Sequence, residues 1–286
     1  MTILGASNVG KSTLLNKLVG AKVSIVSPKV QTTRMRILGI SIKHTAQIIF
    51  VDTPGIFSPR RRLDRAMITC AWNSTNDADE LLLIVDATRG FDNHTQIILD
   101  KLKDKKTNII LAFNKIDRVK KQKLLRLASE MNKATQFSAT FMVSALNGEG
   151  VDDLLCYIAS KMKPGPWLFP KDQISEMPQR LLAAEITREK IYLRLHQELP
   201  YKISVETETW EKNNDGSIKI RQLIFVEKHT QKAIVLGKNG RQIKEIGELS
   251  RKDLTNLLGK RIHLFLFVKV RENWSENYQY YQNLGL

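Results

Sequence analysis

A chain of 286 residues, 42% of them hydrophobic, can bury one large core or two modest ones, and it holds no apolar run long enough to span a bilayer as a helix. Its two cysteines, Cys70 and Cys156, lack metal-ligand spacing; with no secretory leader at the start, they argue against zinc or cysteine-nucleophile chemistry and for a reduced, cytoplasmic setting. The net charge of +16 exceeds what solubility needs and points to an anionic macromolecular partner.

The chain opens on Met1-Thr2-Ile3-Leu4, read as the end of a strand whose beginning the chain lacks. It launches Gly5-Ala6-Ser7-Asn8-Val9-Gly10-Lys11-Ser12-Thr13, a full match to the phosphate-loop pattern. Glycines let backbone N–H groups close around a β-phosphate. Lys11 reaches the β- and γ-phosphates, the Ser12 hydroxyl suits Mg²⁺, and the next helix offers its positive end. In VSPKVQTTRMR a threonine is expected to complete the Mg²⁺ shell. Thr33 is the choice and Thr32 its competitor, and both could instead be simple strand-start residues. This stretch and IFSPRRRLDR, after Gly55, are expected to be switches ordered by a γ-phosphate.

MRILGISIK alternates and reads as an antiparallel edge strand. AQIIFVDT, ELLLIVDA, TNIILAFNK and ATFMVSA are the unbroken runs of parallel strands covered on both faces. Chemistry-bearing residues stand at their carboxyl ends. In Asp52-Thr53-Pro54-Gly55, Asp52 would hold Mg²⁺ through water and the Gly55 N–H would sense the γ-phosphate. In Asn114-Lys115-Ile116-Asp117, the Asp117 carboxylate can accept from both N1–H and N2–H₂ of guanine, a pair adenine lacks. Asn114 would brace the loops and the Lys115 stem would cover the base. In Ser144-Ala145-Leu146, the Ala145 N–H would face guanine O6. All converge on one sheet edge, which makes GTP or GDP with Mg²⁺ the expected ligand. Some GTPases place a water-orienting glutamine just after this Gly55 position; here it is Ile56. Catalysis is therefore expected from Lys11, Thr33, Gly55 and Asn8. Asn8 reads two ways: a ligand for a monovalent cation such as K⁺ beside the phosphates, or a residue that only shapes the loop.

GEGVDDLLCYIASKM reads as the last helix of this first domain, residues 1–163. Four prolines and a glycine within KPGPWLFPKDQISEMP make 164–178 a linker. Residues 179–275 then read helix, strand, strand, helix, helix, strand, with NNDG as a hairpin turn, and 276–286 as a polar, aromatic tail. VLGKNGRQI sits between the two later helices. Gly237 and Gly240 would let the backbone approach a sugar-phosphate chain. Lys238 and Arg241 add charge beside Asn239, while Ile234, Val235, Leu236 and Ile243 supply a groove. This is the signature of a KH module, whose loop clamps about four nucleotides of single strand; the plain alternative is a helix–helix turn with glycine caps.

NVGKSTLLN, QTTR, DTPG, NKID, VSA, ELPYKISVE and IVLGKNG followed by IGELSRKDL occur in that order, and on them nearly the whole chain resembles the Era family of bacterial Ras-like GTPases, of the TrmE-Era-EngA-like superfamily. The resemblance implies an α/β fold: a Ras-like P-loop GTPase domain, with a mostly parallel sheet and helices on both faces, followed by an α+β type II KH domain. It implies GTP hydrolysis, capture of the 3′ end of 16S rRNA once GTP is bound, a role in assembling the small (30S) subunit, a monomeric chain, and association with the inner face of the cytoplasmic membrane. Ala6-Ser7 departs from the family's usual Arg-Pro, and Phe57 from its usual His. The competing readings are a constitutive RNA-binding module with a structural nucleotide domain, and a membrane-surface GTPase.

Overall fold

Strand β4 (Glu80–Asp86) of the computed structural model is buried at every position, as the run ELLLIVD requires of a strand covered on both faces. The structure describes residues 1–59, 61–103, 105, 107–195, 199–272 and 274, and these fall into two units, 1–24 with 33–176 and 25–32 with 177 onward. The first unit is a six-stranded sheet. Beside β4 it comprises β1 (Thr2–Leu4), β2 (Ile37–Lys43), β3 (Ala46–Asp52), β5 (Asn108–Asn114) and β6 (Ala139–Val143), in the order β2-β3-β1-β4-β5-β6. Only β2 runs antiparallel, as its alternating pattern predicts. β1 is short but central, hydrogen-bonded to β3 on one side and β4 on the other, and wholly buried. Helices α1 (Lys11–Val19), α2 (Arg62–Asn73), α3 (Asn93–Leu102), α4 (Lys121–Ala134) and α5 (Val151–Lys161) follow in the intervals. Leu99, Leu127 and Met131 of α3 and α4 close a core with Leu83, Leu111 and Phe113 of the strands.

The stretch 164–178, expected as a linker, lies with the first unit as far as Glu176. The Ile174 carbonyl accepts from Ile40 N–H at 2.9 Å, and Ser175 Oγ donates to the Leu38 carbonyl at 2.8 Å. Gln47 Oε1 accepts from the N–H groups of Leu168 and Phe169. The segment thus occupies the outer edge of β2, where unpaired backbone groups would otherwise face water.

The second unit is built from α6 (Gln179–Arg194), β7 (Ile203–Lys212), β8 (Ile218–Val226), α7 (His229–Leu236), α8 (Arg241–Leu258) and β9 (Ile262–Val270). The sheet order is β7-β8-β9, with β7 antiparallel and β9 parallel to β8. The NNDG turn forms as predicted: Gly216 takes φ 77° and its N–H donates to the Asn213 carbonyl at 3.0 Å. Ile191, Ile203, Ile224, Ile246 and Val268 bring α6, α8 and all three strands into one core. Charged residues of α6 are buried as well. Arg188 donates to Glu185 through Nε at 2.8 Å and to the Thr32 carbonyl at 2.7 Å, while Glu189 accepts from Val26 N–H at 2.8 Å, so residues 25–32 pack within this unit. Residues 275–286, with the expected tail at 276–286, lie outside the described residues.

Candidate nucleotide site and nucleic-acid surface

The loop after β1 requires its glycines. A Cβ on Gly5 would stand 2.5 Å from the Ile84 carbonyl oxygen, and one on Gly10, where φ is 101°, would stand 2.2 Å from Asn114 Nδ2. Between them Asn8 holds a left-handed φ of 64°. Lys11 then opens α1 with its amine folded back into the loop, donating to the carbonyls of Gly5 at 3.1 Å and Ala6 at 2.9 Å. Only 6% of Lys11 is exposed. Burial drives its pKa down to about 8, against the opposing pull of Asp52.

Four oxygen-bearing side chains meet beside it. Ser12 Oγ donates to Asp52 Oδ2 at 2.6 Å and lies 2.8 Å from Thr33 Oγ1. Ser24 Oγ donates to the same Asp52 oxygen at 3.2 Å. Burial raises the Asp52 carboxyl, although Lys11 and the three hydroxyls work to lower it. Its other oxygen, Oδ1, is buried with no hydrogen-bond partner among the described residues. An orphaned carboxylate oxygen flanked by hydroxyls is a hard, all-oxygen donor set, which fits Mg²⁺ better than a soft metal. Thr32 takes a different course: its hydroxyl lies 2.6 Å from Ser27 Oγ and donates to the Lys29 carbonyl. Beyond Asp52, Thr53 donates to the Ile3 carbonyl and Pro54 is buried. A Cβ on Gly55 would come within 2.8 Å of Ser7 Cα, so the two loops touch. Ile56, 5% exposed, packs into the core with Leu4 and Leu83.

Asn114, at the end of β5, ties three loops. Its Nδ2 donates to the Val9 carbonyl at 2.8 Å and its Oδ1 accepts from Ala145 N–H at 2.9 Å. The N–H expected to face guanine O6 is thus engaged by Asn114 in this structure. Lys115, at φ 67°, donates to the Asn8 carbonyl at 2.7 Å and to Asp86 at 2.6 Å. Asp117, just after Ile116, accepts from Ser144 Oγ at 2.6 Å while its side chain stays 20% exposed. Leu146 is 67% exposed and makes no part of this network.

Several contributors were not singled out in the sequence. Asp86 ends β4 and anchors Lys115; burial works to raise its carboxyl, but the bonds from Lys115 and Thr88 hold it below the ordinary range. Its position at the end of an apolar run was the available signal. Asn16 Oδ1 accepts from the N–H groups of Val23 and Ser24, which sets Ser24 against Asp52. Arg89 Nη1 donates to the Ser7 carbonyl at 3.0 Å.

In the second unit the joint between α7 and α8 carries Gly237 at φ 71°, Asn239 at φ 54° and Gly240 at φ 73°. A Cβ on Gly237 would meet Gln242 Cβ at 2.6 Å, whereas one on Gly240 would meet nothing. Lys238, Asn239 and Arg241 are exposed, Ile234 is 55% exposed, and Leu236 and Ile243 are half-buried beside the core. Val235 departs from the expectation. Fully buried among the core residues, its side chain cannot line a groove, because a helix turns each residue about 100° from the last.

A family model described as 50S ribosome-binding GTPase matches residues 1–115, and one described as KH domain matches 198–275. The GTPase Era of Agrobacterium fabrum is 56% identical over all 286 residues, which correspond to 90% of that relative. The GTPase Era of Bradyrhizobium diazoefficiens is 55% identical over the same span, 93% of its length. Among solved structures, Era in complex with MgGDPNP and nucleotides 1506–1542 of 16S ribosomal RNA is 38% identical, with a TM-score of 0.95 over 99% of this chain and 97% of that one. A variant of Aquifex aeolicus Era bound to GDP and AlF4⁻ is 39% identical with the same TM-score and coverage.

Proposed function

Because the chain belongs to the Era family of GTPases, we propose that it is a GTP-hydrolysing switch whose KH unit captures the 3′ end of 16S rRNA during assembly of the small (30S) ribosomal subunit. The observation that carries this reading is the likeness, over 99% of the chain, to Era bound to nucleotides 1506–1542 of that RNA. The model matching residues 1–115 is described by the large subunit, but it spans the nucleotide domain alone. The likeness that includes the RNA-binding unit concerns small-subunit RNA, so the small subunit is the one proposed.

In this reading Asp117 selects guanine, Asn114 and Lys115 keep the base loops against the phosphate loop, and Lys11 turns from the Gly5 and Ala6 carbonyls to the β- and γ-phosphates. Ser12, Thr33 and Asp52 would hold Mg²⁺, which supplies charge neutralisation on those phosphates. The Gly55 N–H reports the γ-phosphate. With Ile56 turned into the core, that position cannot orient an attacking water. Asn8 is the residue assigned to a potassium ion beside the phosphates; turnover should be faster in potassium than in sodium, and equal rates would leave Asn8 with loop shape alone. The chain is read as cytoplasmic and monomeric, with a peripheral association to the inner face of the cell membrane; among the described residues no helix is long and apolar enough to cross one.

The test is RNA binding by the full chain with a GTP analogue, with GDP and with no nucleotide. The GTP analogue should give the tightest binding. Equal affinity in all three states would leave a constitutive RNA-binding module with a structural nucleotide domain.

A further inference from the structure

Among the described residues, the sheet of the second unit packs its helices on one face. Ile262, Leu264, Leu266 and Val268 of β9 point to that core, and the alternating residues point the other way. On this outer face Phe265 is 47% and Phe267 41% exposed, although buried aromatic rings are what usually stabilise a fold. Arg221 of β8 pairs in register with Phe265 and sets its guanidinium 4.9 Å from the Phe267 ring centroid. Lys269 follows two residues on, 54% exposed. Neither β8 nor β9 carries an acid; on neighbouring β7, Glu211 pairs with Lys219 at 3.1 Å and Glu208 lies 3.8 Å from both Arg221 and Lys269. At its β9 end the stripe meets a cleft of about 350 Å³ lined in part by Arg251, Thr255, Arg261, His263 and Phe265.

We propose that this outer face is a second contact surface for single-stranded RNA, in which Phe265 and Phe267 stack bases and Arg221, Lys269 and the cleft arginines hold the backbone. Exposed rings on a sheet, interleaved with cations, are a stacking platform. The excess of cations over acids along β8 and β9 favours a polyanion over an acidic-and-apolar protein partner. The two rings are about 6.7 Å apart along the strand, roughly twice the 3.4 Å rise of a stacked duplex strand, so the platform suits an extended strand. It lies opposite the helices that present Gly237 and Gly240, so an RNA longer than the KH loop can clamp would reach it as an extension of the bound strand. The proposal rests on the reading that this unit binds RNA.

The test is the full-chain double variant F265A/F267A against two single-stranded RNAs, one of about four nucleotides that fills the KH loop and one of about twelve. Each lost stacking contact should weaken the longer RNA about fivefold to tenfold, leave the short one unchanged, and spare GTP turnover. F265W/F267W should retain the affinity of the parent chain for the longer RNA. Unchanged binding of the longer RNA by F265A/F267A would overturn the platform, as would an equal loss on both RNAs. If the parent chain bound neither RNA, the RNA reading itself would fall, and the platform with it.

Discussion

Replacing Lys11 with Met should stabilise the nucleotide-free protein while destroying its function. The amine is buried and its pKa falls from 10.5 to about 8. A difference of about 2.5, at about 1.4 kcal/mol per unit, is a cost of roughly 3 to 4 kcal/mol for keeping the charged amine buried in the loop at neutral pH. Met keeps the stem and drops the charge. It also leaves the Gly5 and Ala6 carbonyls without their donor, which takes back about 1 to 2 kcal/mol. The net gain is about 1 to 3 kcal/mol, or a melting temperature about 2 to 10 °C higher for a domain of this size. The pH dependence has a definite sign. Between about pH 8 and 10.5 the unfolded chain holds a proton on Lys11 that the folded chain has released. Stability of the parent protein should therefore rise with pH across that window, by up to about 1.4 kcal/mol per pH unit, with the full cost present below it. Lys11→Met should lack that rise. Thermal melts of nucleotide-stripped protein at pH 7 and across the alkaline window measure both quantities. Added GTP and Mg²⁺ should then stabilise the parent chain and leave the variant unmoved. A variant that melts below the parent at pH 7, or a parent whose stability is flat between pH 8 and 10.5, would refute the reasoning.

Asp117→Asn keeps an acceptor for the Ser144 hydroxyl, now at 2.6 Å from Oδ1, but turns the base-facing oxygen into a donor; GTP binding should weaken at least about 100-fold and xanthosine triphosphate gain, as measured by competition binding. Asn114→Ala strands the Val9 carbonyl and the Ala145 N–H, both buried. It should cost roughly 2 to 5 kcal/mol and lower the melting temperature by about 5 to 15 °C, while Leu146→Ala, at an exposed position, should stay within about 0.5 kcal/mol. The pair K238D/N239D should abolish binding of short RNA and leave GTP turnover intact: both positions are exposed, and aspartate tolerates the left-handed φ of 54° at 239. Gly237→Asp is the poorer probe, because its Cβ would strike Gln242 and confound folding with binding.

The placement of motif residues was legible in the sequence because it depends on near neighbours. Gly10, Lys11 and Ser12 act as a loop and a helix start; Asn114 and Asp117 act from a strand end. Thr32 and Thr33 could not be separated by type, since they are identical and adjacent, and only the direction of the chain turns one hydroxyl toward Ser12 and the other toward Ser27. Val235 was grouped with Ile234 and Leu236 as one apolar run, yet helical rotation sends it into the core. The β2 strap at 167–175 and the buried charges of α6 were invisible for another reason. Their partners lie more than 120 residues away, so composition reported prolines and an amphipathic helix but not what each would bond.

Asp86 stands 29 residues before Lys115 and belongs to none of the motifs, so nothing beside it in the chain marks its role. A motif search finds Lys115 from its neighbours Asn114 and Asp117, and assigns its stem to the base. The structure shows its amine held between Asp86, at the end of β4, and the carbonyl of Asn8 in the phosphate loop. Asn114 makes a second tie between the same two loops through Val9. The loop after β5 and the phosphate loop are thus joined by two side chains. Loops tied to one another in this way would lose less freedom on binding a ligand that spans them. Lys11 carries its burial cost inside a loop that these ties hold in place.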